Sequence, residues 1–294
     1  MAVDVQAALR EKARELLASG QVQMVLGYEK SYRGGSVRPV VVRSAEESER
    51  LVWNDRCGQN LCGYLLREPV LGVIRSGGKV AVVAKGCDVR SFLGLVQEKQ
   101  LKRESVYLIS PVCEGVLLEE AGEAKTPAKC FGCEWQAPEK SDLLLGDKSA
   151  VKKAQGNARE ELEKLERMTP QERWEYWTSL FSKCIKCYAC RQACPLCYCK
   201  ECITEKSRPQ WVDKSSGTMG NLAYHMIRAM HLAGRCVGCG ECRRACPVGI
   251  PVDLLPRYLT AKVEGAFGYR PGIKPEEEPF FVTFKEGDPE DFIR

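Results

Sequence analysis

Two copies of one cysteine pattern constrain this chain more than any other feature of its sequence. Residues 184–195 read CIKCYACRQACP and residues 236–247 read CVGCGECRRACP, so both follow C-x2-C-x2-C-x3-C-P. Three thiolates on a tight turn can face three irons of one cubane cluster, while the fourth cysteine opens a segment that leads away. The proline keeps that segment from continuing as an ordinary helix. The pattern therefore predicts thiolate-ligated iron–sulfur clusters.

The spacing also predicts how the ligands are shared. In two-cluster ferredoxins the fourth cysteine of each motif binds the other cluster. We therefore expect two [4Fe–4S] clusters, the first on Cys184, Cys187, Cys190 and Cys246, and the second on Cys236, Cys239, Cys242 and Cys194. A pair of zinc knuckles is the alternative, which is disfavoured because both copies are complete and both end in Cys-Pro.

The composition agrees with iron held by thiolates. The 294 residues include 17 cysteines but only two histidines, His225 and His231. This combination disfavours zinc sites of the Cys/His type and histidine-based acid–base catalysis. In a reducing compartment so many thiols are not expected to form disulfides. We predict no catalytic residue from the sequence.

The segment that carries both motifs resembles a known module. Cys194 and Cys236 are separated by 41 residues, which include the helical pattern GNLAYHMIRAMHL at 220–232. This arrangement resembles the α-helical ferredoxin module of succinate dehydrogenase, fumarate reductase and heterodisulfide reductase iron–sulfur subunits, over roughly residues 175–260. The resemblance implies that two clusters pass single electrons between a partner's redox centre and another acceptor. The first motif departs from that pattern by three extra thiols, Cys197, Cys199 and Cys202.

Charge and hydropathy bear on partners and location. The net charge is +5, from 44 basic and 39 acidic residues, and no long basic block marks a nucleic-acid-binding surface. No apolar run approaches the roughly 18 residues of a transmembrane helix. The N-terminal sequence MAVDVQAALREKAREL lacks an apolar signal core. We expect a cytoplasmic protein that binds no nucleic acid and does not insert directly into a membrane.

Four cysteines of the first half form a weaker pattern. Cys87 and Cys113 each follow a predicted strand, and Cys130 and Cys133 form a C-x-x-C pair. Because the ends of parallel strands meet at one edge of a sheet, Cys87 and Cys113 are expected to lie close together. With the C-x-x-C pair they supply four thiolates, enough for a third [4Fe–4S] cluster. Inert buried thiols, which pack well in cores, and a zinc site are the alternatives.

This layout is similar to the beta subunit of deazaflavin-coenzyme-reducing hydrogenases and of related formate dehydrogenases. The similarity covers roughly residues 15–147 and adds Gly115 and the segment from Asp142 to Gly146-Asp147 to the four cysteines. It implies a cluster, a flavin such as FAD, and hydride exchange with a deazaflavin. The Ser-Gly-Gly of that family is absent here, and only Gly34-Gly35 and Gly77-Gly78 suggest phosphate or flavin loops. The cluster is therefore expected more strongly than the flavin.

Two further cysteines, Cys57 and Cys62, occur in the sequence RCGQNLCGYL. With two of the extra thiols after the first motif they would complete a fourth cluster. The count of cysteines permits this assignment without demonstrating it.

The chain is predicted to have an α+β multidomain fold. Apolar spacing in the first half predicts strands and helices that alternate as in a parallel βαβ unit. The predicted helices are Val3–Leu17, Ala45–Val52 with Ser44 as N-cap, and Asp88–Gln97 capped by Asp88. The predicted strands are Val22–Tyr28, Pro39–Val42, Val80–Ala84 and Val106–Ile109. The predicted organisation is an N-terminal α/β domain with a mostly parallel sheet at 1–147, a solvated helical linker at 148–175 in which Thr169 caps a helix, an α-helical two-cluster ferredoxin domain at 176–260, and an extended C-terminal tail at 261–294.

The tail and the histidines carry open interpretations. Phe280, Phe281 and Phe284 are expected to anchor the tail, either on a partner or on its own chain. His225 and His231 lie six residues apart on the predicted helix, so they do not share a face. We interpret both as exposed or partly buried helix residues.

Together these observations predict an iron–sulfur electron-transfer subunit of a cytosolic multi-subunit oxidoreductase. By resemblance, its partners are subunits of a formate dehydrogenase, a hydrogenase or a heterodisulfide-reductase-like flavoprotein. One alternative is a flavin-containing enzyme that reduces a deazaflavin or similar carrier. Another is a zinc-stabilised interaction protein, for which basic pairs such as Arg243-Arg244 are the support.

Overall fold

The computed structural model describes residues 4–32, 35–120, 123–282 and 286–288. The chain forms two compact units, Met1–Ala158 and Arg159–Arg294. Three predicted features lie outside the described residues. They are the start of the first helix at Val3, Gly34 in a suggested phosphate or flavin loop, and Phe284 as an anchor of the tail.

The first unit is built on a five-stranded sheet. Its strands are β1 (Met24–Lys30), β2 (Val37–Val42), β3 (Val80–Val83), β4 (Val106–Pro111) and β7 (Leu143–Leu145), while β5 (Leu118–Glu120) and β6 (Glu123–Lys125) form a separate two-stranded sheet. The strand order is β2-β1-β3-β4-β7. Only β2 runs antiparallel to its neighbour, so the sheet is mostly parallel, as predicted.

Burial explains why these segments are strands. All four residues of β3 are buried, which is typical of a parallel strand covered on both faces. The helices of this unit are α1 (Val5–Ala18), α2 (Val70–Arg75) and α3 (Gly86–Gln97). α1 buries Leu9, Ala13 and Leu16 along one face and packs against β1, β4 and β7. The order β3, α3, β4 confirms the predicted parallel βαβ unit.

Two predicted helix details are wrong. The helix expected at 45–52 is a short 3-10 helix at Glu46–Arg50, because Leu51 and Val52 are extended and buried and the Val52 N–H donates to the Tyr28 carbonyl at 2.9 Å. Asp88 does not cap α3 from outside, since the helix already begins at Gly86. Its carboxylate instead accepts the Lys85 N–H at 2.8 Å from inside the first turn.

The second unit is helical throughout its regular structure. Its helices are α4 (Glu160–Arg167), α5 (Pro170–Ser182), α6 (Ala189–Ala193), α7 (Thr218–Leu232), α8 (Glu241–Arg244) and α9 (Leu254–Phe267). Thr169 caps α5 as predicted, its hydroxyl accepting the Glu172 N–H. Among the described residues, no helix is long and apolar enough to span a membrane.

The stretch predicted as a solvated linker is part of the folded units. Residues 148–158 belong to the first unit. Leu162 and Leu165 of α4 are buried in a core with Trp177 and Phe181 of α5. The expectation is corrected because two leucines three residues apart are enough to bury one face of an otherwise charged helix.

The C-terminal tail begins later than predicted. α9 continues to Phe267 and ends at Gly268, whose φ of 65° is the left-handed conformation that glycine adopts readily. The Phe280 ring then packs on Phe267, with ring centroids 4.7 Å apart. Of the two interpretations, Phe280 therefore anchors on its own chain, whereas Phe281 stays half exposed.

Candidate metal centres

The two cysteine motifs form loops with the same backbone. In the first loop the second and fourth residues after the leading cysteine, Lys186 and Tyr188, have φ values of 52° and 58°. Gly238 and Gly240 occupy the corresponding positions of the second loop, with φ values of 72° and 71°. A short helix begins directly after each of these pairs, α6 in the first copy and α8 in the second.

These turns aim backbone N–H groups at sulfur. The Lys186 N–H donates to Cys184 Sγ at 3.4 Å, and the Gly238 N–H donates to Cys236 Sγ at the same distance. Hydrogen bonds of this kind favour the thiolate, which is the form that binds a metal. The repeat in sequence is therefore a repeat of geometry, in which each leading cysteine is prepared as a ligand.

Non-glycine residues in the left-handed region cost free energy and need support from tertiary contacts. Lys186 is held by its own side chain, whose Nζ donates to the carbonyls of Asp213 and Ser215 at 2.7 and 2.8 Å. Tyr188 packs edge-on against Tyr224 of α7, with centroids 5.2 Å apart. These contacts tie the first loop to the segment between the motifs.

The second predicted ligand set surrounds one cavity. The cavity is lined by Cys194 of the first motif together with Cys236, Cys239 and Cys242 of the second. Burial raises the pKa of Cys236 to about 11, with a further contribution from the Cys194 thiolate. The structure thus brings the fourth cysteine of one motif to the first three of the other.

The cysteines of the first predicted ligand set influence the ionisation of Cys184. Burial raises the pKa of Cys184, and the thiolates of Cys190, Cys246 and Cys187 raise it further in that order. Thiolates act on each other in this way only at short range. Cys246 Sγ in addition accepts the Ile250 N–H at 3.3 Å.

Two side chains of α7 contact cysteines of the first motif, and the sequence interpretation missed both. His225 is 3% exposed and its Nε2 lies 3.4 Å from Cys184 Sγ. Its ring stacks on Phe181 at 4.4 Å. Burial, with Arg228 and Lys186 nearby, lowers the pKa of His225 to about 3, so the imidazole is neutral near pH 7. Tyr224 Oη lies 3.4 Å from Cys190 Sγ.

The interpretation of His225 as an exposed or partly buried histidine is therefore corrected. The available signal was its position beside Tyr224 on the one long helix pattern between the motifs. A histidine and a tyrosine adjacent on that helix are suited to reach two different cysteines of a neighbouring loop.

The extra thiols after the first motif occupy different surroundings. A hydrogen bond from Cys197 lowers the pKa of Cys194, and that contact raises the pKa of Cys197. Cys202 Sγ accepts the Thr204 hydroxyl at 3.1 Å, and Cys199 is exposed. These thiols are not among the residues that line the cavity of the second ligand set.

Cysteines of the first unit meet at the carboxyl edge of the sheet. β3 and β4 are in register, with Val83 opposite Ile109, so Cys87 and Cys113 both follow at the same edge. Burial raises the pKa of Cys113, and the thiolates of Cys130 and Cys133 contribute to the rise. The four predicted thiols therefore lie within electrostatic reach of one another.

A close backbone approach holds this arrangement. A Cβ on Gly86, the first residue of α3, would lie 1.7 Å from the Trp135 carbonyl oxygen. Glycine is thus required where the loop after the C-x-x-C pair crosses the helix. The Cys113 N–H donates to the Gln136 carbonyl at 2.9 Å from the other side of that loop.

Lys85 is a buried cation beside these thiols. It is 2% exposed, its Nζ lies 2.8 Å from the Asp88 carboxylate, and it donates to the hydroxyl of Tyr28. Its charge lowers the pKa of Cys87 and of Cys113, opposing the effect of their burial. Its sequence signal was a lysine placed between a buried strand and a cysteine.

Cys57 and Cys62 are buried near the same charge. The Cys62 thiol donates to the Asp88 carbonyl at 2.9 Å, and Cys57 Sγ lies 3.8 Å from the Val52 carbonyl. Burial raises the pKa of Cys57 to about 11 and that of Cys62 well above its ordinary value. Both side chains sit as protonated donors in the first unit.

Tetrahedral zinc needs thiolates about 3.8 Å apart, since each lies about 2.3 Å from the ion. Among the described residues, no three or more His, Cys, Asp or Glu side chains are grouped to hold a single metal ion. A cubane cluster reaches further, because each iron takes a different thiolate. Four cysteines around a cavity, with N–H groups aimed at sulfur, are a donor set that fits such a cluster.

Comparison with known proteins defines the class. Residues 180–250 match the family described as a 4Fe-4S dicluster domain, which covers both motifs. The match supports [4Fe–4S] clusters in this part of the chain. The chain as a whole fits an iron–sulfur subunit of the electron-transferring kind.

Two known proteins are similar to this chain in sequence, and one solved structure is similar in part. The chain is 35% identical over 94 residues to the F420-dependent formate dehydrogenase subunit beta of Methanocaldococcus jannaschii, and it spans about a quarter (24%) of that protein. It is 23% identical to the F420-dependent formate dehydrogenase 1 subunit beta of Methanococcus maripaludis, over 90% of both chains. The solved structure is a chain of the F420-reducing [NiFe] hydrogenase complex from Methanosarcina barkeri. The match covers 40% of this chain and 43% of the hydrogenase chain, with 14% sequence identity and a TM-score of 0.30.

Proposed function

We propose that this chain relays single electrons through two [4Fe–4S] clusters in its second unit, as a subunit of a larger oxidoreductase. One observation carries the proposal, namely that Cys194 lines the same cavity as Cys236, Cys239 and Cys242. This is the crossed ligand set of a two-cluster ferredoxin. The remaining set, Cys184, Cys187, Cys190 and Cys246, is then left for the other cluster.

The clusters, when bound, supply one-electron redox chemistry, and residues of the protein adjust their reduction potentials. The N–H groups of Lys186 and Gly238 stabilise thiolate charge. His225 Nε2 lies 3.4 Å from Cys184 Sγ, and in the tautomer that carries its proton on Nε2 it would donate a further hydrogen bond to a Cys184 thiolate. Cys190, Cys239 and Cys242 are buried, which keeps water from these three ligand sulfurs, whereas Cys187 is exposed. Hydrogen bonding and burial are the means by which a protein adjusts cluster potential.

We also propose a third [4Fe–4S] cluster in the first unit, on Cys87, Cys113, Cys130 and Cys133. Their position at one sheet edge and the buried charge of Lys85 support it. Cys57 and Cys62 are structural thiols in this proposal, because both donate to backbone carbonyls within the core. FAD is not part of it.

The partner we propose is a subunit that performs two-electron chemistry, of the formate dehydrogenase or hydrogenase type. The names of the two relatives support the formate dehydrogenase type more directly. We place the protein in the cytoplasm, because a chain with 17 cysteines keeps them reduced, and available as cluster ligands, in a reducing compartment.

Iron and acid-labile sulfide per chain, measured on full-length protein purified without oxygen, test the cluster count. About twelve irons support three clusters, and about eight confine them to the second unit. About sixteen would bring the extra thiols into use and contradict the structural role given to Cys57 and Cys62. Negligible iron with stoichiometric zinc would refute the electron-transfer function, and one released flavin per chain would favour a carrier-reducing enzyme.

The crossed ligation has its own test. Cys194→Ser is expected to remove the electron paramagnetic resonance signal of one cluster while the cluster on the first three cysteines of its own motif remains. Cys246→Ser is expected to remove the other signal. The exposed Cys199→Ser is the matched control and is expected to leave both. Loss of the same signal in Cys194→Ser and Cys187→Ser would contradict the crossing.

A further inference from the structure

Arg228 projects from α7 into the interior of the second unit. It is 6% exposed, and it lines the same cavity as Cys194 and Cys236. Its Nη2 donates to the carbonyl oxygen of Cys190 at 3.1 Å. Cys190 belongs to the other predicted ligand set, so the guanidinium faces both sets.

The hydrogen bonding of this guanidinium is incomplete. Its Nε is buried without a hydrogen-bond partner. Burial lowers the pKa of Arg228, but the thiolates of Cys197, Cys242 and Cys194 raise it well above its ordinary value. A buried cation and an unsatisfied N–H are both costly unless an anion receives them. The groups that raise its pKa are cysteine thiolates.

The other charged side chain of the cavity is already neutralised. Asp253 also lines it, yet its carboxylate has Arg243 at 3.4 Å and Arg257 at 3.3 Å. Arg228 therefore remains the cation of the cavity whose Nε–H has no partner, and its charge acts on Cys197 as well as on the cavity cysteines Cys242 and Cys194.

We propose that Arg228 is a positioning residue of the two-cluster site, donating from Nε to a sulfur of the cavity cluster and raising its reduction potential. This inference rests on the proposed function. Reduction adds one electron, and hence one negative charge, to the cluster, while no bond is broken and no proton is transferred. A fixed buried cation stabilises the more negative, reduced form more than the oxidised form.

The test compares Arg228→Gln, which removes the charge, with Arg228→Lys, which keeps the charge but loses the planar donor geometry. Arg167→Gln is the matched control, because it removes the same charge from a side chain of this unit that is 78% exposed. Each full-length protein is purified without oxygen and assayed for iron and sulfide. Its clusters are then titrated with dithionite under potential control and followed by electron paramagnetic resonance.

We expect Arg228→Gln to lower the equilibrium constant for reduction of the cavity cluster at least tenfold, which is about 59 mV for one electron. Arg228→Lys should fall between this variant and the wild type, and Arg167→Gln should match the wild type. If Arg228→Gln fails to hold iron, Arg228→Lys decides the question by the same titration.

If Arg228→Gln holds the full iron content and its reduction potentials are unchanged, the inference is overturned. If Arg228→Gln is unstable, an unchanged potential in Arg228→Lys overturns it. An equal fall in Arg167→Gln would also overturn it, since any lost positive charge would then suffice. Wild-type protein without iron is a different result, because it overturns the proposed function before any variant is titrated.

Discussion

Adding a single methyl group at Gly86 should disturb the cysteine site of the first unit and leave the second unit unaffected. In Gly86→Ala the new Cβ would lie 1.7 Å from the Trp135 carbonyl oxygen, with two more Trp135 atoms at 2.5 and 2.6 Å. The oxygen has to retreat by about 1.3 Å before the contact reaches 3.0 Å, the closest approach that Cβ atoms show. The loop that follows Cys130 and Cys133 must therefore move away from α3.

The magnitude follows from two opposing effects. Overpacking against well-packed neighbours costs about 1–3 kcal/mol, and a backbone clash belongs at the upper end of that range. Alanine in a helix recovers up to ~1 kcal/mol relative to glycine. We expect a net loss of about 2 kcal/mol in the free energy of unfolding, or a melting temperature lower by roughly 4–8 °C for a unit of this size.

The assay pairs thermal unfolding of the full chain with iron content, both measured without oxygen. Displacing the C-x-x-C loop should reduce iron from about twelve to about eight per chain while the signals of the second unit persist. Gly72→Ala is the control, because its Cβ meets only the flexible end of the Glu68 side chain, at 2.6 Å. A Gly86→Ala protein with wild-type melting temperature and iron content would refute the reasoning.

Three further substitutions probe the second unit. His225→Phe keeps a ring to stack on Phe181 but loses the hydrogen bond to Cys184. Losing a charge-assisted bond of about 1.5 kcal/mol should lower the equilibrium constant for cluster reduction roughly tenfold. An unshifted reduction potential would contradict this role of His225. Asn221→Ala leaves the buried carbonyls of Phe181 and Cys184 without their Nδ2 donor. The free energy of unfolding measured in urea should therefore fall by about 3 kcal/mol. A fall below about 1 kcal/mol would argue against a stabilising role for these hydrogen bonds. Glu161→Gln breaks the pair with Arg243, which lowers the pKa of this half-exposed carboxyl; the stability lost is below about 1 kcal/mol at pH 7. Because the folded-state pKa is lowered, that difference is present above the unfolded-state pKa of about 4.3 and disappears as the pH falls through the folded value. A difference that stayed constant from pH 7 to pH 3 would count against the pair.

Local pattern was a good guide where burial was uniform. β3 is an unbroken apolar run, and such a run has few stable alternatives to a central parallel strand. Pattern was a poor guide at residues 45–52, where helix-forming glutamates precede Leu51 and Val52. Burying those two residues in extended form outweighs the weak preference of the glutamates for a helix.

The charged stretch before the first motif shows the same limit in the opposite direction. Its composition indicates a solvated helix, and most of α4 is indeed polar. Leu162 and Leu165 decide its place, because they are buried against Trp177 and Phe181. Two apolar residues in eight are a weak sequence signal, yet their burial contributes about 1.5–3 kcal/mol each.

The sequence by itself determined the iron–sulfur chemistry, because cluster ligation depends on cysteine spacing within short loops. Each motif brings its own turn residues, and both loops consequently adopt the same backbone. Only the tertiary structure decided which distant groups reach these loops. His225 meets Cys184 and Arg228 faces both ligand sets, because the packing of α7 sets those distances and no local spacing encodes them.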